Sequence, residues 1–209
     1  EKFTKKFRLF DLPFLFEDID AVDRFQQSDS GQQLKDSMKR RGLQGLAFWH
    51  NGMKQLSANK PLIKPEDAKG LKFRVQASDV LVAQFEQLGA NPQKMAFSEV
   101  YGALQTGTID GCENPWSNIY GQKFFEVQDG ITETNHGLLD YLVVTSTKWL
   151  DSLEPATRDQ FLAILKDVTT ERNAAVKKVD QENRQKVAET GTVIRELTPE
   201  QRKAWVEAM

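Results

Sequence analysis

The amino-acid sequence predicts an α/β fold, and three observations support this prediction. Apolar segments of strand length alternate with segments of helical periodicity between residues 71 and 112, as in the strand–helix units of α/β proteins. Residues 155–190 have no internal proline or glycine and carry apolar residues at helical spacing. A single helix there would be about 50 Å long and could span two lobes. The chain of 209 residues is long enough for one large domain or for two lobes.

The N-terminal elements are expected to be helical and are followed by a short strand. Residues 18–41 have a broken helical pattern, which predicts one or two helices that end near Gly42. Residues 45–49 form an apolar run of strand length, followed by the turn-prone sequence His-Asn-Gly at 50–52. We therefore expect the chain to change direction or lobe near residue 50.

Two strand–helix units are predicted in the middle of the chain. Pro65 begins one helical turn, residues 71–75 alternate as a strand, and Ser78 caps a helix that ends at Gly89. In the second unit Ser98 is expected to cap a helix over residues 99–105.

The remaining elements follow from apolar runs and helix caps. Residues 108–112 are expected to form a strand and 115–127 a helix. Two strands are predicted at 131–135 and 139–145; the second is nearly continuous and apolar, as a buried core strand would be. After the long helix, which Gly191 ends, residues 193–194 suggest a last strand. The sequence Thr198-Pro-Glu-Gln201 is a capping box that begins a C-terminal helix.

The composition argues against partners that bind through bulk charge or lipid. The net charge is −2, with basic and acidic residues interspersed, so neither nucleic-acid binding nor direct membrane insertion is expected. No stretch approaches the about 20 apolar residues of a membrane-spanning helix. The single cysteine, Cys112, excludes an internal disulfide.

The common catalytic and metal-binding motifs are not found in the sequence. It has no glycine-rich phosphate loop, no Gly-x-Ser-x-Gly and no His-Glu-x-x-His. His50 and His136 are the two histidines, and neither has a cysteine or second histidine nearby in the sequence. We therefore predict no catalytic residue, no metal site and no cofactor.

Three segments, residues 49–55, 70–76 and 95–118, place anion-compatible side chains where strands meet loops. The phrase Phe-Ser-Glu-Val-Tyr-x-Ala-Leu-Gln-Thr-Gly-x-x-Asp-Gly-x-Glu-Asn-Pro covers residues 97–115, and it is long enough to be specific. Together these segments resemble the solute-binding proteins of TRAP (tripartite ATP-independent periplasmic) transporters, and the resemblance covers essentially the whole chain.

The resemblance implies a two-lobed, type II-like periplasmic binding protein that closes around a small carboxylate by hinge motion. Lobe one would comprise residues 1–50 and 140–179, and lobe two residues 51–139 and 180–209. The chain would cross between the lobes near residue 50, near residue 140 and along the long helix. Roughly seventy N-terminal residues of the family and a short C-terminal tail are expected to be missing from this sequence, and with them one wall of the cleft.

The resemblance places Arg74 as the central ligand contact. Arg74 lies near the carboxyl end of its strand, where α/β sheets bind ligands, and its planar fork can bond both oxygens of a carboxylate. Asn114 precedes Pro115 at a strand–helix junction, which suits an anion-binding amide. Phe97 matches a family position that lines the pocket, although a core phenylalanine is almost as good a reading.

Four further residues complete the predicted site. Lys54, in the sequence Gly52-Met-Lys-Gln55, stands where the sialic-acid receptors of the family have arginine. With the sequence Glu-Asn-Pro-Trp-Ser-Asn118, it resembles the subgroup that binds four-carbon dicarboxylates. Lys54 would pair the second carboxylate, or else be a solvated surface lysine. Trp49 and Trp116 would form apolar walls, or else pack in the core.

These observations predict a periplasmic receptor for a small organic acid such as succinate, malate or fumarate. It would be a monomer that delivers its ligand to the integral membrane subunits of a TRAP transporter, without covalent chemistry. Three alternatives stay open: a receptor for a keto acid or sugar acid, a sensor lobe fused to a signalling module, and an enzyme that acts on carboxylates. The enzyme would need an acid, base or nucleophile in the pocket, and the sequence shows none.

Overall fold

The computed structural model describes residues 3–209 as one mixed β-sheet flanked by helices. The six strands are β1 (Leu43–Ala58), β2 (Lys72–Val75), β3 (Asn91–Lys94), β4 (Gly111–Asn114), β5 (Gly130–Ser146) and β6 (Val193–Glu196). The eight α-helices are α1 (Ile19–Gln27), α2 (Asp29–Asp36), α3 (Asp79–Gln87), α4 (Val100–Gln105), α5 (Trp116–Gly121), α6 (Thr147–Ser152), α7 (Pro155–Glu189) and α8 (Pro199–Ala208).

The sheet has the strand order β3-β2-β4-β1-β5-β6. β2 runs parallel to both β3 and β4, whereas β1 is antiparallel to β4 and β5. β1 and β5 pair over their whole lengths, from Leu43 opposite Ser146 to Ala58 opposite Gly130. The register of this pair shifts at three places, one of them between His50 and Gly52. Such β-bulges bend a strand and increase its twist.

The predicted break after residue 49 is wrong. Residues 50–52 form no turn but lie inside the 16-residue strand β1, where β5 pairs with the chain on both sides of them. Asparagine–glycine pairs favour turns locally, and this long-range pairing overrides that preference. Instead of a turn, residues 50–52 contain one of the β-bulges of β1.

The two strands predicted at 131–135 and 139–145 are one continuous strand, β5. The expectation that the second of them lies in the core is also wrong for the described residues. Tyr141 is 50% exposed and Val144 is 46% exposed. A continuous apolar run indicates burial only where both faces of the strand are covered.

The chain between residues 91 and 127 differs in detail from the prediction. β3 was not predicted, because its Pro92 argues against a strand; it lies at the edge of the sheet. Ser98 does not cap a helix, since it lies inside a 3-10 turn over Phe97–Glu99 and α4 has no side-chain cap. The strand expected at 108–112 lies at Gly111–Asn114.

The helix predicted at 115–127 is divided. α5 ends at Gly121 and a separate 3-10 turn covers Phe124–Val127. Lys123, between them, has φ of 56°, which is left-handed and cannot continue an α-helix.

Other local signals are confirmed. Ser78 caps α3, its hydroxyl accepting a hydrogen bond from the backbone N–H of Leu81. α7 is a single helix of 35 residues. Thr198 begins α8 with the predicted capping box to Gln201. These signals depend on residues close in sequence, which explains why sequence reasoning finds them.

The best-packed core lies around β2, β4 and the second half of β1. Three hydrophobic clusters are present, and their fully covered members include Leu56, Phe73 and Trp205. The indole Nε1 of Trp205 donates to the carbonyl of Ile63 at 3.1 Å, which holds α8 against the loop that follows β1. Burial of each such large apolar side chain contributes about 1.5 to 3 kcal/mol.

Candidate functional site

Arg74 lies on β2 with its side chain buried, 5% exposed. Its Nε donates to the carbonyl of Met95 at 3.0 Å, and its guanidinium lies 5.7 Å from the centre of the Phe97 ring. Among residues 3–209, no hydrogen bond or ion pair engages its two terminal nitrogens. Burial lowers the pKa of Arg74, although the nearby Glu113 carboxylate acts in the opposite direction. The guanidinium is thus held in place with its fork available to an anion.

The register of the sheet brings Asn114 to the same face as Arg74. Arg74 pairs with Cys112 of the parallel strand β4, and residues two apart on a strand share a face. Asn114 is 3% exposed, and its Nδ2 lies 3.5 Å from the sulfur of Cys112. Burial raises the pKa of the Cys112 thiol to about 11. The thiol is therefore neutral at physiological pH and leaves the positive charge of Arg74 uncancelled.

Phe97 and Asn118 complete the group that the structure brings together. Phe97 is 37% exposed and contacts Phe124 edge to face at 5.9 Å. It forms a rigid apolar side to the guanidinium of Arg74. Asn118 on α5 donates from Nδ2 to Oδ1 of Asn114 at 3.3 Å. Four of the seven predicted ligand residues therefore form one cluster.

Lys54 is neither a free cation nor a surface lysine. Its side chain is 2% exposed, and its Nζ donates to Oε1 of Glu113 at 2.7 Å. The other oxygen of Glu113 lies 2.7 Å from Nε2 of His136, whose Nδ1 lies 2.7 Å from the hydroxyl of Thr134. The reading of Lys54 as a solvated surface lysine is therefore wrong, and its ammonium is already paired with a buried carboxylate; its contact with a second ligand carboxylate stays a prediction.

The buried Glu113 stays ionised despite its surroundings. Burial raises the pKa of its carboxyl, but the Lys54 ammonium and the hydrogen bond from His136 outweigh burial and lower the pKa to about 2. Glu113 follows Cys112 on β4, so its side chain points to the opposite face of the sheet from Arg74 and Asn114. The ion pair therefore stabilises the site from the opposite face of the sheet.

The two tryptophans contact elements other than β2. Trp116 is 2% exposed and packs with Ile119 and Val187 in the core. Trp49 turns towards α7, where its Nε1 donates to the hydroxyl of Thr169 at 3.0 Å. In this structure both side chains pack between elements, which is the alternative to ligand walls; contact of either with a ligand stays a prediction.

Sequence reasoning missed a polar cluster at the bulge of β1. The imidazole of His50 lies 2.8 Å from Oδ2 of Asp140 and 3.2 Å from Oδ1 of Asp23. Burial lowers the pKa of His50, but these two carboxylates outweigh burial and raise it. Its neighbour Asn51 bonds to α5. The only sequence signal was the polar run at 50–51 inside an apolar segment, which was taken for a turn.

A separate cavity of about 890 Å³ lies between α1, β1 and α7. It is lined by polar and apolar side chains, among them Asp23, His50, Leu165 and Lys177. None of the seven predicted ligand residues lines it. The cavity is therefore separate from the predicted ligand cluster around Arg74.

The described part of the chain shows neither a metal-binding cluster nor a membrane-spanning helix. No group of three or more His, Cys, Asp or Glu side chains in residues 3–209 is placed to hold a metal ion. No helix within the same residues is long and apolar enough to cross a membrane.

Similarity to known proteins assigns the family. Residues 1–209 match the family described as bacterial extracellular solute-binding protein, family 7. The chain belongs to this family. The resemblance inferred from residues 97–115 is confirmed by this match and by the relatives that follow.

A C4-dicarboxylate-binding periplasmic protein DctP of Vibrio cholerae is 71% identical over 209 residues. The match covers 100% of this chain and 63% of that protein, so the chain spans less than two thirds of its relative. A TRAP periplasmic solute-binding protein from Shewanella oneidensis, solved with bound succinate, is 51% identical with a TM-score of 0.96. The match covers 99% of this chain and 68% of that structure.

A second solved structure, from Pseudomonas aeruginosa, contains bound L-malate. It is 44% identical with a TM-score of 0.97, covering 100% of this chain and 73% of that structure. These matches confirm the predicted α/β fold of a two-lobed periplasmic solute-binding protein.

Asp180 of α7 offers a stability test close to the site. Its Oδ1 is buried without a hydrogen-bond partner among the described residues. Burial and the nearby Glu133 raise the pKa of Asp180 to about 7, against a partial opposite effect of the backbone N–H of Trp116. The folded state therefore favours the neutral acid, and ionisation of Asp180 destabilises it as the pH rises from about 4 to about 7.

We expect Asp180→Asn to raise the free energy of unfolding by about 1 to 3 kcal/mol at pH 8, with a much smaller gain near pH 4. Thermal unfolding of the ligand-free protein at both pH values measures the gain, at about 2 to 4 °C for each kcal/mol. Asp167→Asn, at an exposed position of the same helix, is the matched control. An equal gain at both pH values would contradict the assignment.

Proposed function

We propose that this protein is an extracytoplasmic receptor that binds a C4-dicarboxylate such as succinate, malate or fumarate. The observation that carries the proposal is the buried Arg74, whose terminal nitrogens have no partner in residues 3–209. These nitrogens are not among the buried side-chain atoms without a partner, so solvent reaches them, and a ligand carboxylate would match both the charge and the fork geometry of the guanidinium.

The relatives support a dicarboxylate as the ligand class. The Vibrio cholerae relative is named for C4-dicarboxylate binding, and two solved relatives contain succinate and L-malate. Arg74, Asn114 and Phe97 supply a cation, an amide donor and an apolar wall within one cluster. That combination suits a short acid with an aliphatic backbone.

The proposed mechanism is hinge closure of two lobes around the ligand, followed by delivery to the membrane subunits of a TRAP transporter. We place the lobe boundaries at residues 50/51, 139/140 and 179/180. Three features support them: the β-bulge at His50, the pairing of His50 with Asp140, and the closeness of Asp180 to Gly52, where an added Cβ would lie 3.1 Å from Oδ1 of Asp180. The three hydrophobic clusters, apart from the partly buried Phe14, also lie within residues 51–139 and 180–209.

We further propose that the protein works in the periplasm as a monomer, without a cofactor and without catalysis. The family is one of solute-binding proteins. The groups around Arg74 support binding rather than turnover, because Cys112 is a neutral buried thiol and Glu113 is neutralised by Lys54. An enzyme that acts on the same carboxylates would consume succinate or malate, which a turnover assay detects.

A thermal-shift experiment on the full-length protein tests the ligand class. Succinate, malate or fumarate at about 100 times its dissociation constant is expected to add about 2.7 kcal/mol to the free energy of unfolding. That corresponds to a rise in melting temperature of about 5 to 10 °C. Butyrate, of equal length, is expected to give less than about 1 °C. Butyrate has a methyl group in place of the second carboxylate, so it cannot make the hydrogen bonds that a dicarboxylate would make there.

The controls separate the remaining ligand classes. A sugar acid and a keto acid, tested beside succinate, would show a different carboxylate receptor if one of them gave the largest shift. Equal shifts with butyrate and succinate would refute the dicarboxylate assignment while leaving carboxylate binding intact.

A further inference from the structure

The side-chain amide of Asn51 joins three elements at the central bulge of β1. Asn51 is 8% exposed. Its Nδ2 donates to Oδ1 of Asn118 on α5 at 3.2 Å and to the hydroxyl of Tyr141 on β5 at 2.9 Å. Its Oδ1 accepts a hydrogen bond from the hydroxyl of Ser117. Both amide hydrogens and the carbonyl oxygen are engaged, so the amide is fixed in one orientation.

The orientation of the Asn51 amide determines that of two further amides, through the hydrogen bonds between them. Asn118 uses its Oδ1 to accept from Asn51, so its Nδ2 faces the other way and donates to Oδ1 of Asn114 at 3.3 Å. Asn114 is then left with its Nδ2 facing Cys112, at 3.5 Å from the sulfur. A thiol is a weak acceptor, and this is the face of the sheet that carries Arg74.

We propose that Asn51 is a positioning residue for the carboxylate site. Through Asn118 it fixes the amide of Asn114 so that an N–H, and not a carbonyl, faces the ligand. The inference rests on the proposed function, because an ionised carboxylate only accepts hydrogen bonds. If the chain of amides ran in the opposite direction, the carbonyl of Asn114 would meet the carboxylate oxygen and repel it.

The sharpest test therefore reverses the direction of the hydrogen bonds that join the three asparagine amides. Asn51→Asp replaces the donor that faces Asn118 by an acceptor at almost unchanged volume. We expect Asn118 and then Asn114 to turn over, which removes one ligand hydrogen bond and adds a repulsion. Asn51→Ala only removes the hydrogen bond that fixes Asn118, so the amide of Asn114 can adopt either orientation.

The measurement is titration calorimetry of the full-length protein with succinate as the probe. We expect Asn51→Ala to weaken binding about threefold to tenfold and Asn51→Asp at least about thirtyfold. A role in stabilising the bulge alone predicts the reverse order, since alanine removes all three hydrogen bonds whereas aspartate keeps the bond from Ser117.

The negative charge of aspartate needs its own control. In an Asn118→Ala background the chain of amides is broken, so Asn51→Asp and Asn51→Ala are expected to differ by less than about threefold. If the new charge simply repelled the ligand, Asn51→Asp would still bind more weakly than Asn51→Ala in the Asn118→Ala background. That repulsion would also weaken with added salt.

Asn59→Ala is the matched control, since Asn59 follows the same strand and its Nδ2 bonds to Asp110; its affinity is expected to equal that of the parent. Ser117→Ala, which removes one bond to the Asn51 amide, extends the test if Asn51→Asp does not fold; we expect a loss of about twofold to fivefold.

The outcomes separate the two proposals. Equal affinity of Asn51→Asp and Asn51→Ala, persistence of their difference without Asn118, or parental affinity of Ser117→Ala overturns this inference alone. A parent protein that binds no C4-dicarboxylate refutes the proposed function and this inference together.

Discussion

Arg74→Lys is expected to weaken succinate binding at least about thirtyfold. The substitution keeps the positive charge but replaces two parallel hydrogen bonds by one point contact. The difference matters because Arg74 is 5% exposed and lies against Phe97, so we expect little water to reach the bond once a ligand occupies the site. Weakening a buried, hydrogen-bonded charge pair costs about 2 to 5 kcal/mol, against about 0 to 1 for an exposed pair.

Calorimetry on the full-length protein measures this loss, and thermal unfolding without ligand shows whether the fold is intact. Arg195→Lys is the matched control. Arg195 lies outside the site, and its guanidinium forms an ion pair with Asp129 at an N–O distance of 2.6 Å. Its affinity for succinate is expected to stay at the parental value. A loss of less than about threefold for Arg74→Lys would place this residue outside the ligand pocket.

The part of the site that could be predicted is the part encoded by local patterns. Arg74 falls at the end of an alternating strand, and Asn114 precedes a proline where a strand gives way to a helix. The strand period and the effect of proline on its neighbour are short-range properties. They place both side chains on one face as soon as β2 and β4 pair in parallel.

The part that sequence reasoning could not supply is the set of partners distant in sequence. Lys54 was expected to be free, because nothing near it in the chain suggests that Glu113, 59 residues away, takes its charge. Trp49 likewise meets Thr169 on a helix that lies 120 residues further on. A side chain's exposure is a property of tertiary packing, and the local sequence constrains it weakly.

The fold shows the same division. Caps at Ser78 and Thr198 and the uninterrupted pattern of α7 were predicted correctly, because each depends on neighbouring residues. The long strands β1 and β5 were each expected to break in the middle. Their continuity comes from pairing with each other across 72 to 103 positions in sequence, and it carries them through residues that favour turns.

The buried pair of Lys54 and Glu113 gives the largest expected effect on stability. Their side chains are 2% and 1% exposed and lie 2.7 Å apart, with His136 on the far side of the carboxylate. Glu113→Gln keeps the shape but leaves the ammonium of Lys54 buried without a counter-charge. Breaking one side of a buried pair costs about 3 to 5 kcal/mol, so we expect the melting temperature to fall by about 6 to 20 °C.

The double variant Lys54→Met with Glu113→Leu is expected to recover most of this loss, because removing both charges also removes their desolvation. Glu207→Gln is the surface control: Lys203 and Glu207 are 76% and 67% exposed, and such pairs contribute little. A melting temperature of Glu113→Gln within about 2 °C of the parent would contradict the buried pair.

The pH dependence of stability provides an independent check on the same pair. The folded pKa of Glu113, about 2, lies below the ordinary value of 4.5. Its contribution is therefore complete above about pH 4.5 and is lost as the pH falls towards 2. Acid unfolding followed between pH 5 and pH 2 should show this loss in the parent and in Glu207→Gln. In Glu113→Gln the slope over that window should be smaller by up to one proton, because the group that binds it is gone.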